Sequence, residues 1–260
     1  MIILDACRAD YLRQLKREAG TARSLARDTH NWVLAFAELY PQISPSGCLW
    51  FTANPVVDRA LPATGAAEQF PTVRVWQTSW QEVGVNRIPT VHPQSVNEAV
   101  RRYVNEYGQP ERTIIHYIQP HSPYIGSFEL PLAGWGDGPE DMSKALQRLT
   151  DPRKAVREGQ VSWSDVRRAY RANVELVLRH AEDLASDLKG TVVITADHGE
   201  ILGEGERFGH DPTYHDMELR LVPWMVIERG SFSPAAIVRA RLEEPDEGVV
   251  KRRLEALGYK

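Results

Sequence analysis

The sequence predicts an α/β protein whose mostly parallel central sheet is flanked by helices on both faces. Short β-rich runs alternate with helical segments along the chain, which is the pattern of successive strand–helix–strand units. The run TVVITA at 191–196 is continuously apolar, as expected for a strand buried on both faces. The 260 residues are 42% hydrophobic and 25% charged, so they can form a sizeable core. We expect a single domain over residues 1–260.

Strands are predicted where β-branched and aromatic residues run up to turn-forming residues. They span 2–4, 48–53, 73–76, 113–118, 191–196 and 221–227. Helices are predicted from amphipathic spacing and from candidate N-caps. They span 11–18, 31–40, 95–107 and 164–188.

Two segments lie outside this alternation. Residues 126–160 are rich in Gly, Pro and charged residues, which favours a lid or an insertion with a short helix near 141–149. The tail at 231–260 is amphipathic and charged, and we expect it to be helical.

The charge balance and the cysteine count exclude several classes of protein. Lys and Arg number 31 against 35 Asp and Glu, and a net charge of -4 gives no electrostatic footprint for nucleic acid or an anionic membrane. Cys7 and Cys48 cannot form a disulfide framework, which fits a reducing compartment. The apolar stretch before Asp5 is too short for a signal peptide or a membrane span. We therefore expect a cytoplasmic protein with a small substrate, no nucleic-acid partner and no membrane span.

Polar residues follow three of the predicted strands. Asp5 follows the strand at 2–4, His121 follows the strand at 113–118, and Asp-His-Gly-Glu at 197–200 follows the strand at 191–196. Ligands of open α/β sheets bind beyond the carboxyl ends of the strands, so a parallel sheet would bring these groups together. Carboxylates with neutral imidazoles suit Zn²⁺, Mn²⁺ or a related divalent ion.

Each of these residues also has a purely structural interpretation. Asp197 can cap the turn that follows it, and His198 can be a surface residue. Asp5 can form an Asx-turn at the end of its strand. Local spacing alone leaves both interpretations open.

Three segments resemble a known family. IILDACRADYL near the start, VVITADHGEILGEGERFGH at 192–210 and LVPWMVI at 221–227 are similar to motifs of the alkaline-phosphatase superfamily, in its sulfatase-like branch of microbial sulfatases and phosphoesterases. The motifs follow the order of the family. The resemblance implies a doubly flanked sheet, a divalent metal ion (Zn, Mn, Ca or Mg), and Asp5, Asp197 and His198 as metal ligands.

The resemblance also implies a nucleophile at the start of the helix that follows the first strand. Thr29, in RDTHNW, best matches that position and would also bind the metal. Ser44 and Ser46, in SPSGC, are the second choice. A formylglycine nucleophile would need Cys or Ser before x-Pro-Ser/Ala-Arg, and neither cysteine has that context. Sulfate-ester chemistry by that route is therefore not favoured.

Further residues are assigned by the same resemblance. His121, in QPHSPY, matches a loop histidine placed near the transferred group, and His210, in FGH, matches a downstream Gly-His. Arg8 is a candidate phosphate contact, and His215 is a candidate substrate contact. Asp211 is a candidate carboxylate for a second ion.

These observations predict a metal-dependent hydrolase or transferase that acts on a phosphate ester, with a sulfate ester less favoured. The substrate would be a small molecule or a glycan-type ester. The segment between Asp5 and Thr29 is shorter than the family pattern. An alternative is therefore a sulfatase-like binding or assembly protein without turnover.

Overall fold

The computed structural model describes residues 1–43, 47–132, 149–211 and 213–238, and a seven-stranded sheet lies at its centre. The strands of this sheet and of two small two-stranded sheets are β1 (Ile2–Asp5), β2 (Gly20–Arg23), β3 (Leu49–Thr52), β4 (Thr72–Arg74), β5 (Trp80–Val83), β6 (Ile88–Val91), β7 (Thr113–Pro120), β8 (Thr191–Thr195), β9 (Ile201–Leu202), β10 (Phe208–Gly209) and β11 (Leu221–Glu228). The helices are α1 (Ala9–Gln14), α2 (Thr29–Ile43), α3 (Pro55–Ala60), α4 (Val75–Ser79), α5 (Pro93–Tyr107), α6 (Pro152–Arg157) and α7 (Trp163–Asp187).

The central sheet has the strand order β2-β11-β8-β1-β7-β3-β4. The five strands from β8 to β4 run parallel to one another, whereas β11 is antiparallel to both of its neighbours, β8 and β2. The carboxyl ends of β1, β7 and β8 therefore lie at one edge of the sheet. The predicted α/β class with a mostly parallel sheet is confirmed.

Alternate residues of the central strands enter two separate hydrophobic clusters. Ile2 and Leu4 belong to the cluster that contains apolar residues of α5 and α7, whereas Ile3 belongs to the cluster of α2 and α3. Phe51 and Trp50 on β3 divide in the same way. Because successive side chains of a strand point to opposite faces, helices cover both faces of the sheet.

Three of the departures from the predicted elements concern the first helix and the edges of the central sheet. The first helix ends at Gln14, and Lys16 already has a left-handed φ of 56°. The strand predicted at 73–76 ends at Arg74, and α4 begins at the next residue. Strand β2 was not predicted, because Gly-Thr-Ala-Arg has no apolar run and is largely exposed. It joins the sheet through backbone pairing with β11.

The predicted lid and tail fall largely outside the described residues. Positions 133–148, which include the short helix predicted near 141–149, and positions 239–260 are not described. Within the rest of the 126–160 segment, α6 is a short helix capped by Asp151. Among the helices that the structure describes, none combines the length and the apolar character needed to cross a bilayer.

Helix α7 is the longest described helix, and its start is fixed by a capping box. The Ser162 hydroxyl accepts a hydrogen bond from the Asp165 backbone N–H at 3.1 Å, and the Asp165 carboxylate accepts one from the Ser162 N–H at 2.8 Å. These bonds satisfy backbone donors that a helix end otherwise leaves without partners. The sequence predicted this helix from residue 164, one residue after its observed start, without the capping box.

We expect Ser162→Ala to lower the free energy of unfolding by about 1 kcal/mol, because the N-cap acceptor is lost. Ser186→Ala is the matched control, since Ser186 lies in the last turn of α7 and only donates back to the Asp183 carbonyl. We expect the control to change stability by less than about 0.5 kcal/mol. Chemical denaturation measures both, and equal losses at the two ends would contradict the role of the cap.

Candidate active site

The carboxyl-end edge of the sheet gathers the polar residues that the sequence pointed to. Asp5 is the last residue of β1, and Asp197 follows the end of β8 by two residues. His121 follows β7 directly, and its backbone N–H donates to the Asp5 carbonyl at 3.1 Å. Backbone pairing within the sheet therefore brings together residues that lie far apart in the sequence.

A first cluster consists of Asp5, Thr29, Asp197 and His198. The Thr29 hydroxyl donates to Asp197 Oδ2 at 2.8 Å and lies 3.3 Å from His198 Nε2. His198 Nε2 is 3.6 Å from both Asp5 Oδ1 and Asp197 Oδ2. All four side chains are at most 5% exposed. Two carboxylates, one imidazole and one hydroxyl thus face each other in a space without bulk water.

The hydrogen bonds in this cluster leave atoms free that suit a metal ion. Asp5 Oδ1 is buried and has no hydrogen-bond partner. His198 Nδ1 lies 2.8 Å from the Gly199 carbonyl, so this nitrogen carries the proton and the lone pair of Nε2 faces the carboxylates. A buried carboxylate oxygen without a partner is costly. Oxygen and neutral imidazole ligands at this position fit a divalent cation.

Two further side chains join the first cluster, and sequence analysis did not assign either to it. Asn54 Nδ2 donates to Asp5 Oδ2 at 2.5 Å and lies 3.4 Å from the Thr29 hydroxyl, while its Oδ1 caps α3. His116 Nε2 lies 3.6 Å from Asp197 Oδ2 and 3.8 Å from Asp5 Oδ2. His116 lies inside an apolar strand, which favours a packed core residue; it is fully buried, but it also faces the carboxylates.

A second cluster consists of His121, Glu200 and His210. Glu200 Oε1 is 3.0 Å from His210 Nδ1, and Glu200 Oε2 is 3.7 Å from His121 Nε2. His121 Nδ1 lies 2.7 Å from the Ser122 carbonyl, so this nitrogen carries the proton and Nε2 faces Glu200. The side chain of Glu200 is fully buried, and its Oε2 has no hydrogen-bond partner. This cluster also offers one carboxylate and two imidazoles to a divalent ion.

The second cluster differs from the expected one in its carboxylate. Asp211, the candidate from the sequence, is exposed, and its carboxylate bonds to the backbone and hydroxyl of Thr213. Glu200 takes the place expected of Asp211. The signal was present in the sequence, because Glu200 lies three residues after Asp197 in the same segment. The two clusters are adjacent, since the rings of His198 and His210 lie 4.4 Å apart.

Electrostatics in the clusters reflects burial and the unlike charges that face each other. Burial, together with the charge of Asp197, raises the pKa of Asp5 well above its usual value. Burial lowers the pKa of His198, and it lowers the pKa of His121 to about 4. The neighbouring Glu200 raises the pKa of His210 despite burial. Without a cation, the two carboxylates of the first cluster therefore cannot both stay charged without a cost in free energy.

Gly199 lets the turn after β8 carry both clusters. A Cβ at this position would lie 1.8 Å from the carbonyl oxygen of Glu218, which would force the backbone apart. The Gly199 N–H donates to the Leu219 carbonyl at 3.0 Å. Glycine is required here because a second backbone approaches closely.

Other residues assigned from the sequence lie outside the clusters. The Arg8 guanidinium is bound by Asp10 at 2.9 Å, by Glu204 at 2.6 Å and by the Glu200 carbonyl, so its donors already have partners. His215 is exposed and belongs to neither cluster. We therefore leave both out of the proposed site. Ser44 and Ser46 lie outside the described residues.

The chain matches no protein-family profile and no curated protein at the sequence level. Among solved structures, it resembles lipooligosaccharide phosphoethanolamine transferase A of Neisseria meningitidis, with a TM-score of 0.55 and 14% identity over 86% of this chain and 46% of that one. The chain thus spans about half the length of that integral membrane protein.

Two further solved structures resemble the chain. One is the periplasmic domain of phosphoethanolamine transferase EptC from Campylobacter jejuni, with a TM-score of 0.52, 12% identity, and coverage of 87% of this chain and 77% of that one. The other is a putative sulfatase from Bacteroides thetaiotaomicron, with a TM-score of 0.51, 12% identity, and coverage of 93% and 66%. Together with the sheet order, these similarities show that the chain shares the fold of these transferases and of this putative sulfatase.

Proposed function

We propose that the protein is a metal-dependent enzyme that acts on a phosphate ester through Thr29. The observation that carries the proposal is the position of the Thr29 hydroxyl. It lies buried at the first residue of a 15-residue helix, within hydrogen-bond distance of Asp197 Oδ2 and His198 Nε2. A threonine that only capped the helix would not need two metal-ligand side chains around its oxygen.

The N-terminus of α2 stabilises negative charge both on the attacking Thr29 oxygen and on the phosphoryl group that it attacks. The amide groups of the first helical turn point toward this end and stabilise negative charge. Asp28 already occupies one of them, because its carboxylate accepts from the Asn31 N–H at 2.8 Å. Asn54 Nδ2, 3.4 Å from the Thr29 oxygen, is a further donor beside the position of a bound phosphoryl group.

The first cluster would hold one divalent ion through Asp5, Asp197, His198 and the Thr29 oxygen. When bound, such an ion lowers the pKa of the threonine hydroxyl and neutralises the negative charge that develops on the phosphoryl group. Asn54 orients Asp5 Oδ2, so that Oδ1 is left to face the ion. The backbone N–H groups of Ala6 and His198 orient Asp197 through its other oxygen, Oδ1.

The reaction begins with in-line attack of Thr29 Oγ1 on phosphorus. Thr29 gives up its hydroxyl proton to solvent, and a new Oγ1–P bond forms while the bond from phosphorus to the leaving oxygen breaks. The leaving oxygen takes up a proton, and the enzyme is left as a phosphothreonine. Water or an acceptor alcohol then attacks the phosphothreonine, and the threonine oxygen leaves. Hydrolase and transferase differ only in this acceptor, and two of the similar solved structures are of phosphoethanolamine transferases.

The second cluster has two uses in this scheme. Glu200, 3.0 Å from His210 Nδ1, raises the pKa of His210, which favours His210 as the proton donor for the leaving oxygen when no ion is bound there. Alternatively, His121, Glu200 and His210 would hold a second divalent ion, whose charge would stabilise the phosphoryl group. The burial of Glu200 Oε2 without a hydrogen-bond partner favours the second use.

Phosphate is favoured over sulfate as the transferred group. Cys7 and Cys48 are both buried, and neither belongs to either cluster, so the structure supplies no cysteine for a formylglycine nucleophile. The alternative of a binding protein without turnover is less favoured, because an inactive site has no need of buried ionisable groups that cost folding free energy. A small or glycan-type substrate and a cytoplasmic location stay predictions.

Replacement of Thr29 should abolish turnover. We expect Thr29→Ala to lower kcat/KM by at least about a thousandfold, since the variant has no attacking oxygen. Thr78→Ala, at an exposed position of α4, is the control and should retain activity. The assay uses chromogenic phosphomonoester, phosphodiester and sulfate-ester substrates with Zn²⁺, Mn²⁺, Mg²⁺ or Ca²⁺, and mass spectrometry of the quenched protein detects a phosphorylated Thr29 peptide. Full activity of Thr29→Ala would make Ser44 or Ser46 the next residue to replace.

Metal content should respond separately in the two clusters. We expect Asp5→Asn to lose about one divalent ion per chain from the first cluster, and Glu200→Gln to lose the ion of the second cluster only. Asp58→Asn is the control, because Asp58 pairs with Arg74 and Trp76 outside both clusters. Elemental analysis after dialysis measures the stoichiometry. Wild-type protein that binds none of the four ions would contradict the proposed function.

A further inference from the structure

Three arginines, Arg23, Arg27 and Arg220, lie at the edge of the sheet that carries the two clusters. Strand β2 ends at Arg23, and β11 begins at Leu221, whose ladder partner is Arg23. Because β11 is antiparallel to β8, its first residues lie where β8 ends. The ends of β2 and β8 and the start of β11 thus share one edge.

Short contacts connect this arginine group to the first cluster. Ser24 donates its backbone N–H to the Arg220 carbonyl at 2.8 Å, and its hydroxyl donates to the Asp197 carbonyl. Arg27 precedes Thr29 by two residues, so their Cα atoms are at most about 7 Å apart. The long arginine side chains therefore lie within reach of a ligand bound at Thr29.

None of the three arginines has an acidic partner in the described part of the chain. The Nε atoms of Arg27 and Arg220 are buried and have no hydrogen-bond partner. Asp28, the acidic residue next in sequence, is engaged by the backbone and side chain of Asn31. Arg8, in contrast, binds two carboxylates. Burial and the positive charges of Arg23 and Arg27 lower the pKa of Arg220.

Grouped positive charges without counter-charges destabilise the protein unless an anion binds them. Guanidinium groups bind phosphate or carboxylate through paired N–H donors. The phosphoryl group under attack is already accounted for by Thr29 and the metal clusters. The arginine group is therefore left for a second anion.

We infer that Arg23, Arg27 and Arg220 form a subsite for a second anionic group of the substrate, so that the natural ester carries a further phosphate or carboxylate beside the phosphoryl group that reacts. This inference rests on the proposed function for the identity of the first site. It narrows the substrate class to esters with at least two anionic groups. Arg27 and Arg220, with their buried Nε atoms, supply the inner contacts, and the exposed Arg23 supplies the outer one.

Binding of phosphonates tests the subsite independently of turnover, because their P–C bonds resist transfer to Thr29. The probes are propylphosphonate, with one anionic group, and propane-1,3-bisphosphonate, with two. Calorimetry in excess divalent metal gives the Kd of each for the wild type, for the double variant Arg27→Gln/Arg220→Gln, and for Arg229→Gln. Arg229 is the matched control, because it follows the opposite end of β11 and is exposed.

We expect the wild type and Arg229→Gln to bind the bisphosphonate about tenfold more tightly than the monophosphonate, as one added charged contact allows. In the double variant the ratio should fall below about threefold, with circular dichroism and thermal melting unchanged. Arg220→Lys replaces the double variant if that variant does not fold. It keeps the charge but loses the paired N–H donors, so we expect a ratio of the two Kd values between about threefold and tenfold.

Two results would overturn the subsite: a wild-type ratio near one, or a Lys or Gln variant whose ratio equals that of the wild type. The tenfold ratio in a protein that cleaves no ester would support the subsite and contradict the proposed function. Activity without a preference for the bisphosphonate would support the proposed function and contradict the subsite.

Discussion

The site depends on two carboxylates that are buried against each other at the ends of neighbouring strands. Asp5 ends β1 and Asp197 follows β8, and both lie within 3.6 Å of the same imidazole nitrogen of His198. Like charges at this depth are unfavourable unless a cation or a proton compensates them. The raised pKa of Asp5 shows how the protein alone meets this cost, by favouring the protonated form. A bound divalent ion meets it without a proton and leaves both carboxylates as ligands.

Helix α7 holds the loops that surround this pair. The Tyr170 hydroxyl donates to the Ala6 carbonyl at 2.7 Å and accepts from the Arg8 N–H at 2.9 Å, which fixes the turn after β1. Asn173 Oδ1 accepts from two backbone N–H groups of the loop after β7, and its Nδ2 donates to carbonyls of the same loop, the shortest contact being 3.1 Å to Pro123. One turn of helix thus supports the segments that carry Asp5 and His121.

Sequence reasoning predicted those residues of the candidate site that follow an apolar strand or lie in a family motif. Asp5 and Asp197 follow apolar strands, and the order of the motifs pointed to Thr29, so the parallel sheet was enough to bring them together. Asn54 was not among the predicted site residues, and it caps α3 through Oδ1. Its Nδ2 contact with Asp5 depends on the adjacency of β1, β7 and β3, which the local sequence does not encode.

Other features were hidden because their stabilisation is not local. Strand β2 has no apolar run and depends on pairing with β11, more than 190 positions later in the chain. His116 lies inside an apolar strand, so its contact with the carboxylates looked like core packing until the ends of the neighbouring strands were placed. The burial of Glu200 between two histidines depends on where the loops after β7 and β10 lie.

The close approach at Gly199 has a consequence for how this region can vary. The turn that bears His198 and Glu200 is packed backbone to backbone against the segment before β11, through Glu218 and Leu219. The next residue along that segment is Arg220. A change in one backbone therefore displaces the other, and the groups that would bind metal and anion move as one unit. We expect proteins of this fold to keep glycine at the position of Gly199 even where their contacts to the substrate differ.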